Sequence, residues 1–236
     1  MNTTCRILLF FLFFLIFSSG NAQNQSFDSN SIKDTLSSSK YTNQDYNYSV
    51  YFNHQEESFC NKMLRGTKYV VGFNLTMGAY LVIAPENISK WGKKDKFKMP
   101  TIINQYRESF TKPPVIDHDL WYINYIGHPY QGGFYYNTVR AQGASFWQSS
   151  LFCIGQSVFW EYGWEAGMEQ PSLQDLITTP FIGILVGELS HVATIKLSKN
   201  GFRWYEAALV CIINPSYAIN NKFKFNNRSA VQHLKP

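Results

Sequence analysis

Between Asp117 and Asn221 the sequence is cut by helix start and stop signals that leave room for little besides helices of roughly one to two dozen residues. Gly127-His128-Pro129-Tyr130 puts a proline at a favoured first helical position, and Gly143 supplies the matching stop. Ser145 with Gln148 three residues on forms a capping box, which predicts a second helix from Phe146 to about Gly167. Pro171-Ser172-Leu-Gln-Asp175 opens a third, expected to reach about Leu197 with a kink or a fresh start at Thr179-Pro180. A fourth apolar segment, Trp204 to Ile213, is expected to end in a turn at Asn214-Pro215. Short connections predict antiparallel neighbours. The fold class expected is therefore mainly α, an antiparallel helical bundle.

The rest of the chain bounds where such a bundle works. Met1 to Arg6, the apolar run Ile7 to Phe17 and the small residues before Ala22 read as a signal peptide over residues 1–22. A transmembrane anchor would need about 20 apolar residues. A polar lead (23–50), a helical domain (51–221) and a basic tail (222–236) are expected to follow. Tyr69 to Pro85 carries no charge and reads as a buried helix of marginal length for a membrane span. Trp91 to Pro114 reads as a polar connector with a short helix. Aromatic residues make up 17% of the chain and charged ones 16%, a balance that suits contact with a membrane or a dense ring-rich core. Export with this composition predicts a place in the cell envelope, periplasmic or membrane-associated, with membrane lipid as partner.

The net charge of +5 gathers at Lys90, Lys93, Lys94, Lys96 and Lys98 and in the tail. Such groups are solvated loops or contacts for anionic lipid. Bases and aromatics do not interleave as in a nucleic-acid reader, so no nucleic-acid partner is expected. Cys60, Cys153 and Cys211 show no C-x-x-C spacing, and Cys153 and Cys211 lie in apolar runs, as small buried hydrophobes do. No hydrolase, P-loop or dinucleotide fingerprint occurs, and neither a cofactor nor a resident metal is expected.

Candidate chemistry lies on stripes of four-residue spacing. His128, Gly132, Tyr136 and Arg140 share one helix face. About 18 Å at 1.5 Å per residue still separates His128 from Arg140, too far to act on one small group. Ser157, Glu161 and Glu165 form a second stripe beside Trp160 and Trp164. Its two carboxylates suit an acid–base pair or, with a histidine, metal ligation. The bland alternative pairs Glu161 with Arg140 and leaves Glu165 in water. Asp175 completes a cap with Ser172. Thr179, Gly183 and Gly187 form a small-residue seam for close helix approach, and Glu188 at its end calls for a partner such as Arg140 or His191. The catalytic candidates are thus His128, Arg140, Glu161, Glu165 and Glu188. Ser172, Asp175, Gly183 and Gly187 are the capping and structural ones.

Trp121-Tyr-Ile-Asn124-Tyr-Ile-Gly127-His128-Pro129-Tyr-Gln-Gly132, Tyr136 with Arg140, Trp160-Glu161-Tyr-Gly-Trp-Glu165, Pro171-Ser172-Leu-Gln-Asp175 and Gly183-Ile-Leu-Val-Gly187-Glu188 together resemble domain of unknown function 3943, an uncharacterised bacterial family. The resemblance runs from about Tyr69 to Asn221 and implies an envelope protein of unassigned activity. A looser likeness to VanZ-like membrane proteins would match Asp119, His128, Glu161, Ser172, Asp175, Gly183 and Gly187, and favours membrane association. Three readings follow: a structural or interaction protein at a membrane; a hydrolase of membrane amphiphiles or cell wall using the Glu and His groups; and a module whose ring-rich groove binds lipid.

Overall fold

The computed structural model describes residues 57–89, 91, 97–199 and 201–225, all within one compact unit. The expected signal peptide, the polar lead, most of the lysine cluster and the tail beyond residue 225 lie outside the described residues. The named elements among the described residues are all helical, and Val115 and Ser172 form a parallel bridge between the connecting segments.

Helix α1 spans Phe59–Ile83, capped by the Ser58 hydroxyl accepting from the Asn61 amide. It starts ten residues before the charge-free stretch, because a polar first turn with a good cap is as helical as the apolar remainder. Pro85 forces Ala84 into extended backbone and ends it. The expectation of a buried helix is only partly met: Lys62, Gly66, Val70 and Asn74 form one buried stripe, while Leu75, Tyr80 and Ile83 are exposed. A short α2 (Glu86–Ser89) and α3 (Met99–Thr111) follow.

A π-helical turn at Ile123–Gly127 leads into α4, His128–Arg140. Gly143, at φ 81°, makes the left-handed stop that the sequence assigned to it. The Ser145–Gln148 capping box opens α5, Phe146–Phe159, which runs on as a π turn at Trp160–Glu165. Replacing Ser145 by Ala removes one partner of the box and is expected to cost about 1 kcal/mol in denaturant unfolding. Helix α6, Leu173–Ile177, passes through a π turn at Thr178–Ile182 into α7, Gly183–Ser198. Pro180 causes the expected irregularity, since its missing amide and its ring both disrupt the α-helical ladder. Helix α8 spans Trp204–Ile213. Asn214-Pro215 does more than end it: the Asn214 side chain caps a further helix, α9 (Pro215–Asn220), with Pro215 in its first turn.

Helix α4 is the hub. From His128 to Val139 only Tyr130 escapes burial. Its register with α7 is read from His128 beside Thr179, Gly132 against Gly183, and Tyr136 against Gly187 and Glu188. Numbers rise together along both helices, so the pair is parallel. Against α5 they run in opposite senses, with Gly132 O accepting from Cys153 Sγ and Tyr136 edge-on against Phe146. Against α1 they also oppose, with Lys62 at Gly143 and Asn74 at Tyr135. The antiparallel rule thus holds for the hairpin between α4 and α5. It fails for α4 and α7 because α5 intervenes and returns the chain to its starting end.

Glycines decide how close α4 and α7 come. A Cβ on Gly132 would lie 1.8 Å from the Thr179 carbonyl oxygen, and one on Gly183 would lie 2.6 Å from the Gly132 Cα. The seam predicted from Thr179, Gly183 and Gly187 is therefore in contact, and its partner is Gly132.

Candidate functional site

Four of the five catalytic candidates fall into two groups at opposite ends of α4, and Glu165 belongs to neither. At the C-terminal end, Arg140 Nε and Nη2 donate to Glu188 Oε2 and Oε1 at 2.9 and 3.0 Å, and Tyr136 Oη donates to Glu188 Oε2 at 2.6 Å. A planar guanidinium on a carboxylate in this bidentate form is a strong, directional contact. Arg140 also donates to Ala144 O, tying the turn after α4 to α7. This corrects the pairing of Arg140 with Glu161: Glu161 lies at the far end of α5, level with the start of α4.

At the N-terminal end of α4, His128, Glu161 and Asp175 each present a ligand-capable atom within 4.8 Å of the others. All three are buried, Glu161 at 2% and Asp175 at 4% exposure. They arrive from three different elements, and each element carries a π turn at that point. One precedes His128, one contains Glu161, and one follows Asp175 after two residues. A π turn widens the helix and rotates the side chains around it, and such turns recur at functional sites. Together the three bring one end of α4, α5 and α6 to a common point.

The surroundings hold these side chains in fixed roles. His128 Nδ1 lies 3.1 Å from Thr179 Oγ1, while Nε2 lies 3.5 Å from Asp175 Oδ2, long for a hydrogen bond. Glu161 Oε2 accepts from the Ser172 amide at 2.9 Å. Asp175 therefore does not complete a capping box. Ser172 Oγ accepts from the Asp175 amide, as expected of a cap, but the Ser172 amide goes to Glu161. Glu161 Oε1 and Asp175 Oδ1 are buried without a hydrogen-bond partner.

Asp117 stands behind this group and was not a sequence candidate. Its Oδ2 accepts from Ser172 Oγ, and its Oδ1 accepts from the Asp119 amide and from Asn124 Nδ2 at 2.9 and 2.7 Å. Burial raises the Asp117 carboxyl, but these hydrogen bonds outweigh it and hold the group below its usual range. The only hint in the sequence was an aspartate just ahead of the helix start. The bridge between Val115 and Ser172, which sets it beside α6, cannot be read from spacing. Glu165 is neither in the cluster nor simply in water: the Trp160 indole donates to its Oε2 at 2.6 Å.

Residues 113–216 match the family described as Domain of unknown function (DUF3943), so the family resemblance read from the motifs is shown over that segment. No curated protein and no solved structure matches the chain. The matched segment takes in every residue of both groups, from Asp117 to Glu188.

Proposed function

We propose that this chain is an exported envelope protein whose helical domain is embedded in a membrane, where it serves a structural or interaction role. The observation that carries the reading is an inverted polarity. Among the described residues, the interior is rich in polar side chains, including Asn74, Gln131, Asn137, Gln142, Ser157 and Thr194, all of them 5% exposed or less. Many large apolar side chains lie outside, with Trp204 84% exposed, Trp147 79% and Phe181 66%. A protein folding in water buries such rings, and exposed apolar patches of this extent mark lipid or protein contact. In a membrane the drive to bury apolar side chains vanishes, and close helix approach plus interhelical hydrogen bonds take over. Asn137 Nδ2 to Gly187 O and Ser190 Oγ, Asn214 Nδ2 to Thr194 Oγ1 and Tyr135 Oη to Asn74 Oδ1 are contacts of that kind. The run Leu173–Ser198, 26 residues, is long and apolar enough by length and composition to cross a membrane.

Fractionation of the native envelope tests this. The protein is expected to stay with the membrane pellet after alkaline carbonate washing and to need detergent for release. Its mature N-terminus, read by mass spectrometry, is expected to follow Ala22. Release by carbonate into a detergent-free, monodisperse form would overturn the reading.

A further inference from the structure

We infer that His128, Glu161 and Asp175 form a binding site for a divalent first-row transition-metal cation. The site goes beyond the membrane reading and does not depend on it.

Three observations carry it. The first is donor geometry. Ligand atoms around a tetrahedral cation at about 2.0–2.2 Å stand about 3.4 Å apart. The 3.5 Å between His128 Nε2 and Asp175 Oδ2 has that spacing and is too long for a good hydrogen bond. The third carboxylate is within reach, since all three ligand atoms fall within 4.8 Å of one another. A modest inward movement of Glu161 closes the set.

The second is the pattern of satisfied and unsatisfied atoms. His128 and Glu161 each have an outer partner that orients them, and Glu161 and Asp175 each keep a buried oxygen without one. His128 Nδ1 lies against Thr179 Oγ1, which leaves Nε2 facing Asp175 Oδ2. Glu161 holds the Ser172 amide on Oε2, with Oε1 buried and unpartnered. Asp175 likewise keeps a buried, unpartnered Oδ1. Ligating histidines and carboxylates are usually fixed in this way by a second layer of hydrogen bonds. Here Thr179 and Ser172 provide it, with Asp117 and Asn124 behind Ser172.

The third is charge. Two carboxylates buried side by side, with ligand-capable atoms within 4.8 Å of each other and of the imidazole, repel each other unless a proton or a cation lies between them. Arg140, which could have served, is committed to Glu188 at the other end of α4. One imidazole with two carboxylates suits Zn2+ or Mn2+ better than Ca2+, which prefers oxygen alone.

The test uses the full chain in mild detergent, stripped with chelator and then equilibrated with Zn2+ or Mn2+. Bound metal is counted by elemental analysis, and melting is followed with and without metal. The wild type is expected to retain about one ion per chain and to melt higher when loaded. His128→Gln, Glu161→Gln and Asp175→Asn are each expected to bring bound metal to background, while Arg140→Met keeps it. Thr179→Val is expected to weaken binding about 10- to 100-fold. The stripped Glu161→Gln protein is expected to melt no lower than stripped wild type, because it loses one of two facing carboxylates and keeps the oxygen that accepts from Ser172. Failure of the wild type to hold either metal would overturn the site. So would metal that survives all three ligand substitutions, or a stripped Glu161→Gln protein that melts well below stripped wild type. Release of the protein by carbonate would sink the membrane reading and leave these outcomes unchanged.

Discussion

Gly132→Ala is expected to destabilise the domain by more than about 3 kcal/mol, an unusually large effect for one methyl group. The added Cβ would meet the Thr179 carbonyl oxygen at 1.8 Å and the Gly183 Cα at 3.0 Å. Both obstacles are backbone, so no rotamer change relieves them. The two helices must separate, and the parallel packing of α4 on α7 is lost with them. Because Thr179 also holds His128 Nδ1, the same separation disturbs the buried cluster at that end. Gly72→Ala is the control. That glycine sits within α1 with nothing inside 4 Å of a built Cβ, so alanine is expected to be neutral or to stabilise by about 0.5–1 kcal/mol. Denaturant unfolding in micelles reads both. A Gly132→Ala protein within about 0.5 kcal/mol of wild type would mean that the seam is looser than described.

Arg140→Met is expected to cost about 2–4 kcal/mol. It leaves Glu188 on the Tyr136 hydroxyl without its bidentate guanidinium, in a position where the pair is 20% and 27% exposed. The loss comes mainly from an uncompensated charge. A second change, Glu188→Gln, is therefore expected to recover part of it, with a coupling energy of about 1–3 kcal/mol across the double-mutant cycle. Additive single effects would show that Arg140 and Glu188 act independently, against the bidentate geometry.

The two pairs of contacts show what could be read from the sequence and what could not. Helix punctuation was legible because caps are local: Ser145, Gly143, Ser172 and the Asn214-Pro215 signal act through neighbours a few residues away. The seam was legible too, since Thr179, Gly183 and Gly187 recur every four residues on one face. Its partner was not singled out, although Gly132 stood in the His128 stripe. Pairing across helices was harder. Arg140 could face Glu161 or Glu188 from spacing alone, and only the parallel course of α7 beside α4 selects Glu188.

The buried cluster was legible in two of its three members. His128 and Glu161 stood out as a histidine at a helix start and an acid between tryptophans. Asp175 looked like a cap because its spacing from Ser172 is that of a cap, and the amide contact is indeed made. Its side chain is free for another use because Glu161 takes the Ser172 amide in its place. The π turns that rotate these residues together have no sequence signal apart from Pro180, so their convergence could not be derived from helical periodicity.

Quenching of tryptophan fluorescence by brominated lipid tests the membrane reading most directly. Trp204, Trp147 and Trp121 are exposed on the apolar surface, whereas Trp91 and Trp160 are buried. In vesicles the wild-type protein is expected to be quenched strongly, and the combined replacement of Trp204, Trp147 and Trp121 by Phe to remove most of that quenching while leaving the buried emission. An unquenched spectrum, or quenching that persists unchanged in the triple variant, would contradict a domain that turns its large rings to lipid.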